Sequence, residues 1–526
     1  FISFNIYLLL IYVHRDFYNS TLIICLLITN KCKIFYFNCN FTSIFNVFSI
    51  IFYNFARNKV LTSKFYYAKL NSDKEVNYLE VVCVFVFFYS ISILKGEQKM
   101  DRGSIAFMMV CTALVFIMTP ALAFFYGGLV RKKNVINTMM ATMFIAGTAV
   151  LMWVLFGYSL SFGGDNGGFI GNFDFLGLSG VSISESTRGL EIPDLLFCAF
   201  QMMFAIITPA LITGAVAGRM KFKALVPFIC LWSLLVYYPL AHMVWGGGFM
   251  GAEVEGGSGL FGTGLYLDSV DFAGGNVVHI SSGVTGLVLA IILGKRRDYH
   301  KNSYQPHNIP FVLLGAAFLW FGWFGFNAGS ALAANGTAVH AFMTTGISSA
   351  CGLISWLIMD IITAKKPTLV GCSTGLVVGL VAITPGAGFV PIWASIIIGL
   401  LVSPICVGGV HLIKKVLKID DALDAFGCHG IGGIWGGLAT GIFGVKELAP
   451  GVESGAKWDG LVFGDYHLFL AQAESIIVTI VIAIVGTLIC AGIVKLFVKK
   501  LRVSDTVERL GLDESQHGEV AYPADI

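Results

Sequence analysis

Asp271-Phe-Ala-Gly-Gly-Asn-Val-Val-His279 is the most informative stretch of this sequence. It carries an acidic side chain into a Gly-rich turn and ends on a histidine inside an apolar run. The run continues from Ile280 to Leu293 and stops at the basic cluster Lys295-Arg-Arg297. At about 1.5 Å per residue, His279 is predicted to lie about four turns inside a membrane-spanning helix.

A second histidine, His429, lies in a similar Gly-rich apolar run, Ala425-Phe-Gly-Cys-His-Gly-Ile-Gly-Gly-Ile-Trp435. An ionisable side chain inside a membrane is costly, and those that occur usually face a cavity, pair with one another or line a pathway. The alternative is that both histidines only bond to backbone carbonyls. Their depth and matched positions favour a shared functional site.

The composition excludes an ordinary soluble protein. Of 526 residues, 56% are hydrophobic and 12% are charged, whereas a soluble domain typically has about 25% charged residues. We therefore expect a polytopic helical membrane protein. The chain has no Cys-x-x-Cys pair, zinc-spaced cluster or nucleotide-binding Gly fingerprint, so no metal, cofactor or nucleic acid is expected. The cysteines within apolar runs are interpreted as small core side chains.

The first 99 residues differ from the rest of the chain. They contain no methionine, no proline and only Gly96 of the 61 glycines. All their common residue types can be written with A/T-rich codons, and Lys95-Gly96-Glu97 can be encoded by a bacterial ribosome-binding sequence. We expect the native protein to begin at Met100 and residues 1–99 to form no domain. The alternative is one or two short hydrophobic helices, over Phe1 to Val13 and Val81 to Leu94.

Apolar runs of about 20 residues predict eleven membrane spans. Basic residues concentrate in alternate loops, for example Arg131-Lys-Lys133 and Lys295-Arg-Arg297, and after the last span. By the positive-inside bias, these loops and the C-terminus are expected to be cytoplasmic, with Met100 outside. The protein is therefore expected in the cell (plasma) membrane as a multi-pass protein. The spans start near Ser104, Asn134, Pro193, Phe222, Gly274, Pro310, Ala338, Pro367, Pro391, Asp424 and Ala471.

The predicted fold is all-α, with a transmembrane domain over residues 100–498 and a cytoplasmic regulatory tail over residues 499–526. A buried histidine in the fifth and again in the tenth span indicates two inverted five-helix halves followed by a final helix. Such halves place a substrate path at their interface, although they share no convincing sequence identity here. The tail carries alternating charges at near helical spacing, so it either docks on the cytoplasmic loops or is mobile.

Five motifs in one order make residues 100–522 resemble the ammonium transporter (Amt/Mep/Rh) family, in its Amt branch. Each motif alone is weak, but together they are very specific. They are Gln201-Met-Met-Phe204, Ala241-His-Met-Val-Trp-Gly-Gly-Gly248, the stretch from Asp271 to His279, Gly322-Trp-Phe-Gly-Phe-Asn-Ala-Gly-Ser330, and Phe426-Gly-Cys-His-Gly430.

The resemblance implies a homotrimer with one pore in each subunit. It implies an outer ammonium site formed by Trp245, Ser330 and Phe204, and a gate of the stacked rings of Phe204 and Phe326. His279 and His429 would line the pore and could relay a proton, and the acid at 271 would support the structure of the site. The tail resembles the segment that, in bacterial members, docks a PII-type nitrogen-regulatory protein.

Physical chemistry indicates how such a pore could work. A hydroxyl and an indole face can select ammonium, but bare transfer of the ion into an apolar pore costs tens of kcal/mol by Born estimates. Shedding a proton removes this penalty, so the permeating species is expected to be neutral ammonia. Neutral imidazoles have one donor and one acceptor nitrogen for it. Relay of the released proton would make transport electrogenic; otherwise the protein is a gas channel.

Three other functions make different demands on the sequence. A nitrogen sensor would use the same fold and report occupancy through the tail. A water or solute channel of the aquaporin type would carry paired Asn-Pro-Ala turns, but this chain has Thr119-Pro-Ala121 and Thr208-Pro-Ala210 instead. An intramembrane enzyme would need a catalytic pattern, and none is found within the spans. Ammonium transport for nitrogen uptake, without enzymatic activity, is therefore the predicted function.

Overall fold

The computed structural model describes the backbone of three strands within residues 6–39, and residues 100–252, 257–299, 305–448 and 456–522. The chain divides into two units, Phe1–Ser92 and Ile93–Ile526. In the first unit, β1 (Ile6–Asp16), β2 (Asn19–Ile28) and β3 (Lys31–Cys39) form an antiparallel sheet in the order β1-β2-β3.

The sheet overturns one alternative for the first 99 residues. A hydrophobic helix over Phe1 to Val13 is wrong, because Ile6–Asp16 is a strand; its Ile, Tyr, Leu and Val residues suit a pleated surface. The other candidate helix, over Val81 to Leu94, lies outside the described residues. That the native protein begins at Met100 stays a prediction.

The second unit is a bundle of long helices, and ten of those described are long and apolar enough to cross a membrane. Several begin at a side chain that accepts a hydrogen bond from a first-turn N–H, as Asp101, Asn308, Asn335 and Thr368 do. The ten are α1 (Arg102–Leu129), α2 (Lys132–Phe162), α3 (Asp194–Val216), α4 (Phe222–Trp245), α5 (Gly275–Leu293), α6 (Ile309–Gly329), α7 (Gly336–Ala364), α8 (Leu369–Gly386), α9 (Ile392–Val416) and, after one further helix, α11 (His467–Val498).

The further helix is α10, at the predicted tenth span. It consists of a π-helical segment, Phe426–Ile431, followed directly by the α-helical segment Gly432–Phe443. Its many glycines lower its hydrophobicity, so it is not among the ten helices that pass on length and composition. The prediction of eleven spans is thus matched in position by eleven helical segments of the described chain, of which ten have the composition of a span.

The helices around the two histidines form the centre of the bundle. The apolar windows of α3, α5 and α8 have the largest share of buried residues, and those of α7 and α9 have the smallest. Small residues let α5 and α10 approach closely: a Cβ at Gly283 would collide with the backbone of Gly430. Because both helices have a π-helical turn, at Gly275–Ile280 and Phe426–Ile431, they bring His279 and His429 together at this contact.

The C-terminal tail packs on one end of the bundle, which we call the tail side; the opposite end is the vestibule side. The tail contains the short helices α12 (Asp505–Leu510) and α13 (Leu512–His517). Its first residues pair with the loop between α3 and α4. The Lys221 amide donates to the backbone oxygen of Leu501, and the Val503 amide donates to the backbone oxygen of Arg219. Of the two expectations for the tail, the structure shows docking.

Candidate functional site

A cavity of about 380 Å³ opens on the vestibule side. Its wall includes Phe204, Trp245 and Ser330, the three residues expected to form the outer ammonium site. The indole N–H of Trp245 donates to the backbone oxygen of Asp271 at 2.8 Å, which fixes the ring. The hydroxyl of Ser330 donates to the Phe326 carbonyl at 2.9 Å. The hydroxyl oxygen of Ser330 therefore keeps its capacity to accept a hydrogen bond from a ligand.

The rings of Phe204 and Phe326 lie at the base of this cavity. Their centroids are 4.4 Å apart, their planes are inclined by 39°, and each residue is 1% exposed. Trp245 contacts the first ring edge-on, with centroids 5.8 Å apart. Phe204 lines the vestibule cavity, whereas Phe326 lines a second cavity deeper in the bundle. The two rings therefore separate the two cavities.

The second cavity holds both histidines. It has a volume of about 10 Å³, close to what one water molecule needs. The imidazole rings of His279 and His429 are nearly parallel, with centroids 5.3 Å apart. The ring of Trp323 also stacks on His279, with centroids 5.4 Å apart. Other lining side chains are apolar: Met118, Leu122, Phe125, Ile207, Leu211, Val278, Leu319, Phe326 and Val377.

The ring nitrogens of the two histidines have few partners in the protein. Both nitrogens of His279 and the Nδ1 atom of His429 are buried without a hydrogen-bond partner among the described residues. For His279, this observation excludes the alternative in which the imidazole only bonds to backbone carbonyls. Buried polar atoms of this kind are costly unless a partner reaches them. The arrangement therefore suits a small polar molecule in the cavity.

Asp271 connects the vestibule with the histidine helix. Its carboxylate accepts hydrogen bonds from the amides of Gly274, Gly275, Asn276 and Val277, at 2.8, 2.5, 2.7 and 3.2 Å. Burial raises the pKa of Asp271, and these four bonds oppose the rise. Because its backbone oxygen also holds Trp245, this residue fixes both the start of α5 and the vestibule indole.

Sequence reasoning missed two acids, Asp421 and Asp165, and assigned no role to His242. Asp421 lies as far before His429 as Asp271 lies before His279. This equal spacing in the two halves could have identified Asp421. His242 is fully buried and bonds to Asp165, from a different loop. No local pattern predicts this contact. Within the described residues, no cluster of three or more His, Cys, Asp or Glu could hold a metal ion.

Residues 106–522 match the model of a family described as the Ammonium Transporter Family. The chain belongs to this family. It is 48% identical over 423 residues to a Bacillus subtilis protein named ammonium transporter, across 80% of this chain and 99% of that protein. Such relatives are named as transporters, not enzymes, and the resemblance found in the five motifs is confirmed.

Solved structures show the same fold. Saccharomyces cerevisiae Mep2 aligns with a TM-score of 0.69 and 36% identity, covering 77% of this chain and 88% of that one. A structure described as a sensor Amt protein aligns with a TM-score of 0.68 and 28% identity, covering 79% and 98%. The chain is therefore a multi-pass membrane protein of the Amt/Mep type.

Proposed function

We propose that this protein transports ammonium by recruiting it in the vestibule, removing a proton, and conducting ammonia past the two histidines. The observation that carries the proposal is the buried pair His279 and His429 in a narrow, otherwise apolar cavity: both nitrogens of His279 and Nδ1 of His429 have no hydrogen-bond partner among the described residues. A site of this kind accepts a small neutral hydrogen-bonding molecule. It offers no carboxylate to a cation, because the lining residues include no acid.

Recruitment takes place between Trp245, Ser330 and Phe204. The indole face attracts a cation by about 2 kcal/mol once the cation is desolvated. The Ser330 oxygen accepts one of the four ammonium N–H groups. Since the indole N–H is held by the Asp271 carbonyl, the ring is in place before ammonium arrives. Asp271 thus supports the structure of the site and is no direct ligand.

The pair Phe204 and Phe326 acts as the gate. With centroids 4.4 Å apart, the rings leave no polar partner along the path between the cavities. A cation would lose its hydration there at a cost that the rings cannot offset, whereas ammonia loses much less. Ammonium therefore gives up its proton to solvent water on the vestibule side of the gate.

Beyond the gate, the imidazoles bind ammonia in turn. A neutral imidazole has one donor and one acceptor nitrogen, so the pair can serve both the N–H groups and the lone pair of ammonia. The parallel rings, 5.3 Å apart, also form a short relay if the released proton crosses. Relay would make transport electrogenic; without it, the pore conducts neutral ammonia.

The assembly belongs to the same proposal. All eleven helical segments cross the plasma membrane, the vestibule side with Met100 faces outward, and the tail side is cytoplasmic. The exposed apolar surfaces of α7 and α9 face lipid or neighbouring subunits of a homotrimer with one pore each. The docked tail lies where a PII-type nitrogen-regulatory protein would reach the cytoplasmic end of the pore.

A sensor is the second candidate function. The likeness to a structure described as a sensor Amt protein favours it, together with the contacts between the tail and the loops of the bundle. Flux through the purified protein without any partner distinguishes the two functions, because a sensor needs no flux.

The test is ammonium-driven flux in proteoliposomes. We expect Trp245→Leu and Ser330→Ala to raise the KM for ammonium by roughly tenfold each, because each removes about 1.4 kcal/mol or more of recruitment energy. Trp393→Leu is the control, since Trp393 lies on α9 and is 45% exposed. Absence of flux in the unaltered protein would leave the sensor function; an unchanged KM in both variants would refute the recruitment site.

A further inference from the structure

His242 is a fully buried histidine that the pathway described above does not use. It lies on α4, one helical turn before Trp245. Its Nδ1 atom is 3.1 Å from the backbone oxygen of Ser161, and its Nε2 atom is 2.9 Å from Oδ1 of Asp165. Both partners come from the end of α2 and the loop after it, so the imidazole joins that loop to the helix that carries the vestibule indole.

The two partners determine how many protons the ring carries. A backbone oxygen only accepts hydrogen bonds, so Nδ1 must carry a proton. An ionised carboxylate also only accepts, so Nε2 must carry one as well. A neutral imidazole has a single N–H and cannot satisfy both. If the Asp165 carboxylate is ionised, the geometry therefore requires the imidazolium form of His242.

The surroundings of Asp165 favour the ionised carboxylate. Besides His242, Oδ1 accepts from the amide of Gly168 at 2.8 Å, and Oδ2 accepts from the amide of Ser258 at 2.7 Å and from the Ser258 hydroxyl. Burial raises the pKa of Asp165, but the hydrogen bonds from Ser258, His242 and Gly168 outweigh it and hold the pKa below its ordinary value. Every partner donates, which suits a carboxylate.

These bonds tie together the two loops that form the vestibule rim. Asp165 lies in the short strand β4 (Asp165–Asn166), which pairs with β5 (Ile170–Gly171) in the loop between α2 and α3. Ser258 lies in the loop between α4 and α5. Backbone bonds from Phe249 to Gly168 and from Phe261 to Gly167, both 3.1 Å, join the same two loops.

The close approach of His242 depends on glycine. A Cβ at Gly246 would collide with the backbone oxygen of Ser161 and lie 2.7 Å from Nδ1 of His242. The glycine that directly follows Trp245 thus makes room for the imidazole contact. Asp165, Trp245 and Gly246 all line the vestibule cavity, so this contact lies in the wall of the recruitment site.

Two charged groups act on His242 among the described residues: Asp165 on the loop after α2, and Arg188 further along the same loop. The Arg188 guanidinium donates to the Phe162 carbonyl at 2.6 Å and lies over the Phe197 ring at 4.8 Å. Burial of the ring is the largest influence against protonation of His242, and the positive charge of Arg188 adds to it, whereas the hydrogen bonds to Asp165 and Ser161 and the charge of Asp165 favour protonation. The contact is therefore sensitive to the proton concentration on the vestibule side.

We propose that protonated His242, clamped between Ser161 and Asp165, is a positioning residue that fixes Trp245 and the vestibule rim and makes ammonium recruitment weaken as the pH rises. The inference deepens the proposed transport function and rests on it. When the ring loses its second proton, Nε2 faces a carboxylate with no hydrogen between them. The rim then loses its bond from Asp165 to α4.

The first test is the KM for ammonium in proteoliposomes from about pH 5 to about pH 8, the range in which histidine normally titrates. The unaltered protein should show a KM that rises with pH. His242→Ala should raise the KM about tenfold with little change in kcat, from loss of the charged hydrogen bonds. Asp165→Asn should flatten the pH profile, because its amide can donate to a neutral imidazole. Asp174→Asn, in the same loop, is the control and should behave as the unaltered protein.

The second test does not require transport. Hydrogen exchange at the amides of Gly168 and Ser258, measured without ammonium, reports the joined rim directly. Exchange should be faster in His242→Ala than in Asp174→Asn. The proposal is overturned if these amides exchange alike in the two variants, or if Asp165→Asn keeps the pH profile of the unaltered protein. Flux that is absent in the unaltered protein, with exchange as expected, would instead remove the transport function and leave the clamp as a structural contact.

Discussion

The starts of α5 and α10 carry the same arrangement of an acid, a π-helical turn and a histidine, but in different surroundings. In α5, Asp271 accepts four backbone N–H groups. In α10, Asp421 accepts two, from Ala425 at 3.1 Å and from Phe426 at 2.8 Å. The first start lies on the vestibule side and the second on the tail side, as expected for two inverted halves.

The starts of α5 and α10 differ mainly in their charged neighbours. Asp421 lies beside the ion pair of Lys414 with Asp424, which measures 2.6 Å. The preceding Asp420 accepts two hydrogen bonds from the guanidinium of Arg296, at 2.8 and 2.6 Å, and a third from its amide at 2.7 Å. Among the residues that the structure describes, only backbone amides hydrogen-bond to the carboxylate of Asp271. The start of α5 is thus held by a fixed backbone turn, whereas the start of α10 also lies beside two ion pairs.

The largest expected effect is the loss of unfolding free energy when Asp271 or Asp421 is replaced by alanine. Asp271→Ala leaves four buried N–H groups without an acceptor, which costs about 4 kcal/mol of unfolding free energy at about 1 kcal/mol per group. Asp421→Ala leaves two, and costs about 2 kcal/mol. Chemical denaturation in detergent measures both values. Equal losses in the two variants would contradict the distinction between the two starts.

A pH effect on stability is expected at the start of α10. Burial, with a further contribution from Asp424, raises the pKa of Asp421 from its ordinary 3.8 to about 6. A raised carboxyl pKa means that the folded state binds more protons, so this contribution to stability is complete below about pH 4 and is lost as the pH rises through about 6. Asp421→Asn should therefore become more stable relative to the unaltered protein across this interval. A stability difference that does not change with pH would show that the site does not titrate.

The smallest expected effect concerns the tail. Glu508 is 1% exposed and binds the side chain of Arg502 at 2.6 Å and the amide of Arg297 at 2.8 Å. Glu508→Ala should release α12 and speed protease cleavage of the tail several-fold, while global stability changes by about 1 kcal/mol or less, since local opening can occur without global unfolding. Asp505→Ala, on the exposed face of the same helix, is the control. Equal cleavage rates would show that Glu508 does not hold the tail.

Much of the helical core was predictable from the sequence. Runs of about 20 apolar residues locate helix starts to within a few residues, because hydrocarbon thickness sets their length. The π-helical turns at Gly275–Ile280 and Phe426–Ile431 were not predictable, since they depend on how α5 and α10 pack. The rings of Phe204 and Phe326 lie with their centroids 4.4 Å apart, whereas periodicity alone would place both residues in an ordinary core.

The contacts of the vestibule rim could not be predicted from local sequence patterns. The bond between Asp165 and His242 joins segments far apart in the sequence, and neither residue belongs to a periodic pattern. Loop residues of this kind are recognised only when the fold brings them together. The β-strand at Ile6–Asp16 was missed for a different reason: an apolar run too short to span a membrane can form either a helix or a strand.

The most direct test of the transport mechanism is ammonium-evoked current, recorded with internal pH, in proteoliposomes containing the full chain, His279→Ala or His429→Ala. We predict ammonium transport by the unaltered protein and its loss or strong reduction in both variants. Current that disappears with either imidazole would mean that charge crosses by way of the pair, and a pH change without current would mean conduction of neutral ammonia. Unaltered transport in both variants would contradict the account, because the histidines would then lie off the pathway.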